Sequence, residues 1–310
     1  QFYFFLCFKM DKLPGGYIIR DQISSESTYD LYAGESPDGR LICVKSTRLN
    51  IRQLKNGFTQ EVFNLQKLTT IAKASNKASN IIKYITSFTD DLYGVLITEG
   101  YDYTLYNALE NDILEEKKKM YYFLHICKAV EECSAGGVAH MDIHPKNIFI
   151  KNGRALLGNF NSSIRWNTVR STSMKVCGTT EYRAPEITNP CGYSPYLVDL
   201  WSLGILLHYI ITKKYPIVDV DKDSTDAITI DPEIPAPAED LIRSLLEINP
   251  CMRLPVEEIV DHPIFEYYDV SDVQIRSDIL ERKKKKRTKR VASVNPTKTS
   301  NISSTIQQHL

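Results

Sequence analysis

The hydrophobic period of the chain changes near Glu99, and no other feature restricts its fold as much. Before that point, β-branched and aromatic residues fall in short alternating runs at 17–22, 28–33, 41–46, 81–88 and 93–98, a pattern that predicts strands. One stretch at 53–71 breaks the alternation and places Phe58, Val62, Leu65 and Leu68 on one helical face. Beyond Glu99, helical spacing dominates at 115–135, 196–212, 237–247 and 256–261. The expected class is α+β in two lobes: an N-terminal extension at 1–15, a small β-rich lobe at 16–99, a larger helical lobe at 100–266 and a tail at 267–310. With 310 residues, 43% of them hydrophobic, the chain can bury a core of that size.

Charge is unevenly placed. The formal net charge is +0, yet residues 282–290 carry eight basic side chains and no acidic one, leaving 30 basic against 38 acidic residues elsewhere, a balance of −8. This basic run is expected to be disordered, and to bind polyanions or a nuclear-import receptor. It lacks the interleaved aromatics that specific nucleic-acid recognition would use, and Ser293, just after Lys289 and Arg290, would suit a basophilic kinase. Seven scattered cysteines with no C-x-x-C pair point to a reducing compartment, so an intracellular location, cytoplasmic or nuclear, is expected. The apolar stretch at 2–8 is far shorter than the roughly 20 residues a membrane helix needs, so neither a transmembrane segment nor a signal peptide is expected. The first methionine is Met10, and the domain is expected to start near it.

Several short motifs then fall in a telling order: Ile42-Cys43-Val44-Lys45; Glu61 on the following helix; His140-Met141-Asp142 with Asn147; Ala184-Pro185-Glu186; Asp199-Leu200-Trp201-Ser202-Leu203-Gly204; and Arg253 ahead of His262-Pro263. Together they resemble the eukaryotic protein-kinase domain of the Ser/Thr type, over about residues 16–266. The resemblance implies a two-lobed kinase fold, ATP as ligand and magnesium as its partner ion. It gives Lys45 the phosphates and Glu61 as its ion-pair partner, Asp142 the substrate hydroxyl, and Asn147 a metal-facing carbonyl. Glu99, at the junction of the lobes, joins the nucleotide-binding set. Asp199, Glu186 and Arg253 become structural: Asp199 binds the catalytic-loop backbone, and Glu186 pairs with Arg253. The segment 176–186 resembles the substrate-docking end of an activation loop, with Thr179 against Asp142, so a protein partner or substrate is expected there and on the helical lobe. Locally, His140-Met141-Asp142-Ile143 with Asn147-Ile148-Phe149-Ile150 resembles Wee-type cell-cycle kinases, although the intact Ala184-Pro185-Glu186 departs from that group.

The pattern breaks where phosphate and metal should lie. The family's three loop glycines, which let backbone amides approach the phosphates, fall on Ser24, Glu26 and Tyr29. The metal-binding aspartate of the family's Asp-Phe-Gly segment falls on Asn159 in Asn159-Phe160-Asn161, replacing an anion with a neutral amide. His144 stands where Ser/Thr kinases carry a phosphate-supporting lysine, and Met141 replaces the arginine that reads a phosphorylated loop. The residues therefore predict a pseudokinase that regulates or scaffolds, with weak, magnesium-insensitive ATP binding and a compromised metal site at Asn147 and Asn159. The alternative reading is an atypical Ser/Thr kinase using Lys45, Glu61 and Asp142. The link at 216–237 is short for the family, so the helix that usually follows there is expected to be curtailed.

Overall fold

Alternating runs in the first third of the chain build a six-stranded antiparallel sheet ordered β1-β2-β3-β4-β6-β5. Its strands are β1 (Lys12–Leu13), β2 (Tyr17–Ser25), β3 (Tyr29–Glu35), β4 (Leu41–Arg48), β5 (Tyr84–Thr89) and β6 (Tyr93–Glu99). The structure is a computed structural model that describes residues 12–76, 78–168, 171–219 and 227–270, all within the first of two units of the chain, residues 1–271. The readings placed on residues 1–11, on the basic run 282–290 and on Ser293 lie outside the described residues. The sheet begins at Lys12, a few residues before the expected boundary at Gly16, because Lys12 and Leu13 pair with Ile18 and Tyr17.

Ile42, Val44, Val95 and Ile97 form the centre of this lobe's apolar core, contributed by the neighbouring strands β4 and β6. Against the sheet lies α1 (Arg52–Ser75), whose buried residues are Phe58, Glu61, Asn64, Leu65 and Leu68. Two of these are polar, and each finds a partner: Glu61 takes Lys45, and Asn64 donates to Ser163 Oγ at 2.8 Å. The Phe58 ring fits against Gly94, where a Cβ would stand 2.7 Å from ring carbons, so the glycine fixes how closely the helix approaches the sheet. Burying such a ring contributes about 1.5–3 kcal/mol.

The second lobe is mainly helical: α2 (Leu105–Glu110), α3 (Glu116–Ala135), α4 (Pro195–Thr212), α5 (Ala236–Leu245), α6 (Val256–Ile259) and α7 (Pro263–Tyr267). Short strands join them: β7 (Tyr103–Thr104), β8 (Val138–Ala139), β9 (Ile148–Lys151), β10 (Arg154–Leu157), β11 (Ile164–Arg165), β12 (Ile217–Val218) and β13 (Ile228–Thr229). By length and composition α4 could cross a membrane, but 78% of it is buried inside the protein, so its apolar surface is that of a core helix. Between α4 and α5, β12 pairs with β13, and residues 220–226, on which the expectation of a curtailed helix falls, lie outside the described residues. This is the two-lobed α+β architecture expected from the sequence.

Candidate functional site

A cavity of about 470 Å³ is lined from both lobes. Its upper wall is the β2–β3 hairpin, in which Ser24 pairs with Leu31 and the Glu26 N–H donates to the Tyr29 carbonyl at 2.9 Å. The segment with no glycine therefore closes as a tight hairpin, placing Ser24, Glu26 and Tyr29 in the cavity wall.

Lys45 projects from β4, held between Leu31 on β3 and Leu96 on β6. Its ammonium donates to Glu61 Oε2 at 2.7 Å and to Asn159 Oδ1 at 2.6 Å, and lies 4.2 Å from the centre of the Tyr29 ring. The Lys45 and Glu61 side chains are 9% and 2% exposed, so this is a buried ion pair, and removing either partner would strand a charge. The second oxygen, Glu61 Oε1, accepts the Phe160 N–H at 3.1 Å, which ties α1 to the segment carrying Asn159. Burial, followed by the charges of Glu26, Glu61 and Asp142, pushes the Tyr29 phenol well above its usual range, so the ring over Lys45 stays neutral.

Asn159 adopts a left-handed conformation (φ 63°), which asparagine tolerates better than most residues. Its Nδ2 donates to Asn147 Oδ1 at 2.8 Å. Asn147 Nδ2 in turn lies 2.8 Å from the Asp142 carbonyl, 3.2 Å from Asp142 Oδ2 and 2.8 Å from His144 Nε2. Asp142 Oδ1 accepts from Thr179 N–H at 2.9 Å and from Thr179 Oγ1 at 2.7 Å, with His144 Nε2 3.7 Å away. Burial alone would raise the Asp142 carboxyl, but the contact and charge of His144 and the Thr179 hydrogen bond outweigh it and hold the group well below the carboxylate range. One hydrogen-bonded chain thus runs from Glu61 through Lys45, Asn159 and Asn147 to Asp142.

The support beneath this chain is buried and hydrogen-bonded. Asp199, buried on α4, accepts the His140 N–H at 2.6 Å and the Met141 N–H at 2.7 Å, holding Met141 at a φ of 69°. Burial pushes the Asp199 carboxyl up to about 7, with the two backbone N–H groups acting the other way. His140 Nδ1 accepts the Asp142 N–H at 3.3 Å, so the proton sits on Nε2 and is donated to the Gly158 carbonyl at 2.9 Å. Burial lowers this imidazole to about 4. At Gly178, φ is +86° and a Cβ would come within 2.4 Å of the Met141 carbonyl, so only glycine lets the Thr179 segment dock here. Arg253 makes a bidentate pair with Glu186, at 2.6 and 2.8 Å, and its side chain is 0% exposed.

Glu99 departs from its expected place. Its carboxylate accepts the Lys83 N–H at 2.9 Å and pairs with Lys151 at 2.5 Å, and it lines a separate cleft with Lys73 and Asn76. The Lys83 backbone N–H and the Lys151 ammonium hold the Glu99 side chain outside the cavity lining. Other site residues escaped the sequence reading. The Tyr101 ring lies 4.5 Å from Phe149, and Lys146 sits 5.0 Å from the Tyr106 ring, all four lining the cavity. The cluster of Tyr101, Tyr103 and Tyr106 just past the change in period was the only signal for them.

Comparison with known proteins agrees with this geometry. A family model described as the protein kinase domain matches residues 32–265. Similar proteins include a putative serine/threonine-protein kinase of Saccharomyces cerevisiae, 30% identical over 286 residues, covering 84% of this chain and 29% of that protein. An Aurora kinase of Debaryomyces hansenii is 28% identical over 249 residues, with 74% and 60% covered. A CBL-interacting serine/threonine-protein kinase 3 of Arabidopsis thaliana is 25% identical over 228 residues, with 68% and 48% covered. The chain spans less than two thirds of the length of these relatives.

Protein kinases in general use ATP and magnesium, and the cavity residues fit the two unequally. An aromatic and aliphatic slot of Leu31, Leu96, Thr98, Tyr101 and Phe149 suits a flat base. At the metal position the side-chain oxygens of Asn147 and Asn159 are uncharged, and each accepts a hydrogen bond from the protein, where a hard divalent ion favours carboxylate charge. Among the described residues no group of three His, Cys, Asp or Glu could hold a metal ion.

Proposed function

This chain belongs to the protein kinase family, and from that premise we propose that it is a catalytically impaired member, a regulatory or scaffolding domain that holds nucleotide weakly and without metal. The observation that carries the reading is the Asn159 carboxamide, spanned between Lys45 at 2.6 Å and Asn147 at 2.8 Å. A neutral group, already bonded on both sides, occupies the place where the family's aspartate would bring charge to a metal.

Magnitudes favour this reading. Loss of the amide cradle, the metal carboxylate and the phosphate lysine at about 2–3 kcal/mol each amounts to about 6–9 kcal/mol, or about 10⁴ to 10⁶ in rate. Kinases that turn over at about 1–100 per second would fall to about one event per minute or far less. Such losses are not strictly additive, but all three fall on one ligand. The helical lobe and residues 176–186 then serve as a surface for a protein partner, supported by the docking of Thr179 on Asp142 and by the buried Glu186–Arg253 pair. The basic run at 282–290 adds polyanion or import-receptor binding in the cytoplasm or nucleus.

The second reading, an atypical Ser/Thr kinase, is favoured by the assembled Lys45–Glu61 pair and the Thr179–Asp142 contact. A phosphotransfer assay with radiolabelled ATP, magnesium and generic protein substrates separates the two. The proposal expects no transfer above that of Asp142→Ala, and transfer that this substitution abolishes would defeat it.

A further inference from the structure

The charges facing the cavity come from Glu26, Lys45, Glu61, Asp142 and Lys146, with His144 beside them. Lys45 is paired with Glu61, while Lys146 and Glu26, both exposed, carry opposite charges in the cavity lining. The Asp142 carboxylate, 14% exposed, has no lysine or arginine beside it among the described residues; Thr179 donates to it, and His144 Nε2 lies 3.7 Å away. Each of the two ammonium groups is also occupied by a tyrosine ring, Lys45 by Tyr29 at 4.2 Å and Lys146 by Tyr106 at 5.0 Å. A phosphate entering here would have to displace the Tyr29 ring or Glu61 from Lys45, or the Tyr106 ring from Lys146, and would face the Asp142 carboxylate. The flat slot between Leu96, Thr98 and Phe149 makes no such demand.

Resting on the proposed function, we propose that the cleft selects an uncharged aromatic ligand of the nucleoside class over any phosphorylated nucleotide. Phosphates then weaken binding, the reverse of what a phosphate-binding cleft would do.

The test is calorimetric titration of the full chain with adenosine, AMP and ATP in excess EDTA, at low and at high salt. Adenosine is expected to bind about tenfold or more tighter than ATP at low salt, with AMP between them. Salt should narrow that ratio, because screening relieves repulsion. In Asp142→Asn the low-salt ratio should fall several-fold. Affinity that rises with phosphate number, no detectable adenosine binding, a ratio that widens with salt, or an unchanged ratio in Asp142→Asn would each overturn the proposal. The wild-type salt series stands if that variant fails to fold. Phosphate transfer bears on the proposed function alone: an active protein that ranks adenosine first without metal leaves this inference intact, and an inert one that ranks ATP first overturns it.

Discussion

Asn159→Asp restores the carboxylate at the metal position and turns the hydrogen-bonded chain into a measurable strain. Asn159 Nδ2 now donates to Asn147 Oδ1 at 2.8 Å, and in the variant two oxygens would meet at that distance. Asn147 cannot relieve this by turning its amide, because its Nδ2 already faces Asp142 and His144. An acceptor that is 3% exposed would lose its partner, at a cost of about 1–3 kcal/mol. The charge-assisted bond from Lys45 would strengthen and return about 1 kcal/mol. A net loss of up to about 2 kcal/mol corresponds to a drop of up to about 8 °C in Tm in EDTA. The two oxygens would also converge where a cation could bridge them, so magnesium should add to the stabilisation by ATP in the variant and not in the wild type. Differential scanning fluorimetry of both proteins, with EDTA and with magnesium and ATP, reads the two effects together. A variant as stable as wild type in EDTA, with no gain from magnesium, would refute the reasoning about the amide chain.

Further outcomes follow from the same contacts. Glu186→Ala leaves Arg253 buried without its bidentate partner and should cost about 3–5 kcal/mol in chemical denaturation; a loss under about 1 kcal/mol would contradict a buried, uncompensated guanidinium. Acid should weaken the fold between pH 6.5 and about 4: His140, lowered to about 4, and His125, lowered well below 6.5 by burial, stay neutral when folded and take up protons on unfolding. Asp199, raised to about 7, is protonated in the folded state and opposes them by one proton, so the two imidazoles outweigh it and stability is lost as pH falls. Urea midpoints that stay flat or rise on acidification would count against these assignments.

Much of this was legible in the sequence because it depends on period and order. Strands and helices follow from spacing of two and of three to four, and the distances from Lys45 to Glu61 and from Asp142 to Asp199 to Arg253 fixed which side chains a kinase-like fold would bring together. The contacts that decide the chemistry were not legible. No spacing rule places the Tyr29 ring over Lys45, turns Asn159 Nδ2 onto Asn147, or sends Glu99 to Lys151 and away from the cavity. Each depends on a rotamer chosen by several distant segments at once. The helical face of α1 illustrates the same limit: of the four residues found by apolar spacing, Phe58, Leu65 and Leu68 are buried and Val62 is half-buried, while Glu61 and Asn64 are buried there too, because partners from β4 and from Ser163 wait for them.

The most direct measurement is the thermal stability of the wild-type chain during ATP titration, with and without magnesium. If Asn147 and Asn159 leave the ion without charge to bind, the small shift produced by ATP should be the same in EDTA as in magnesium. A large stabilisation that appears only with magnesium would mean that the cavity neutralises a metal–triphosphate complex after all.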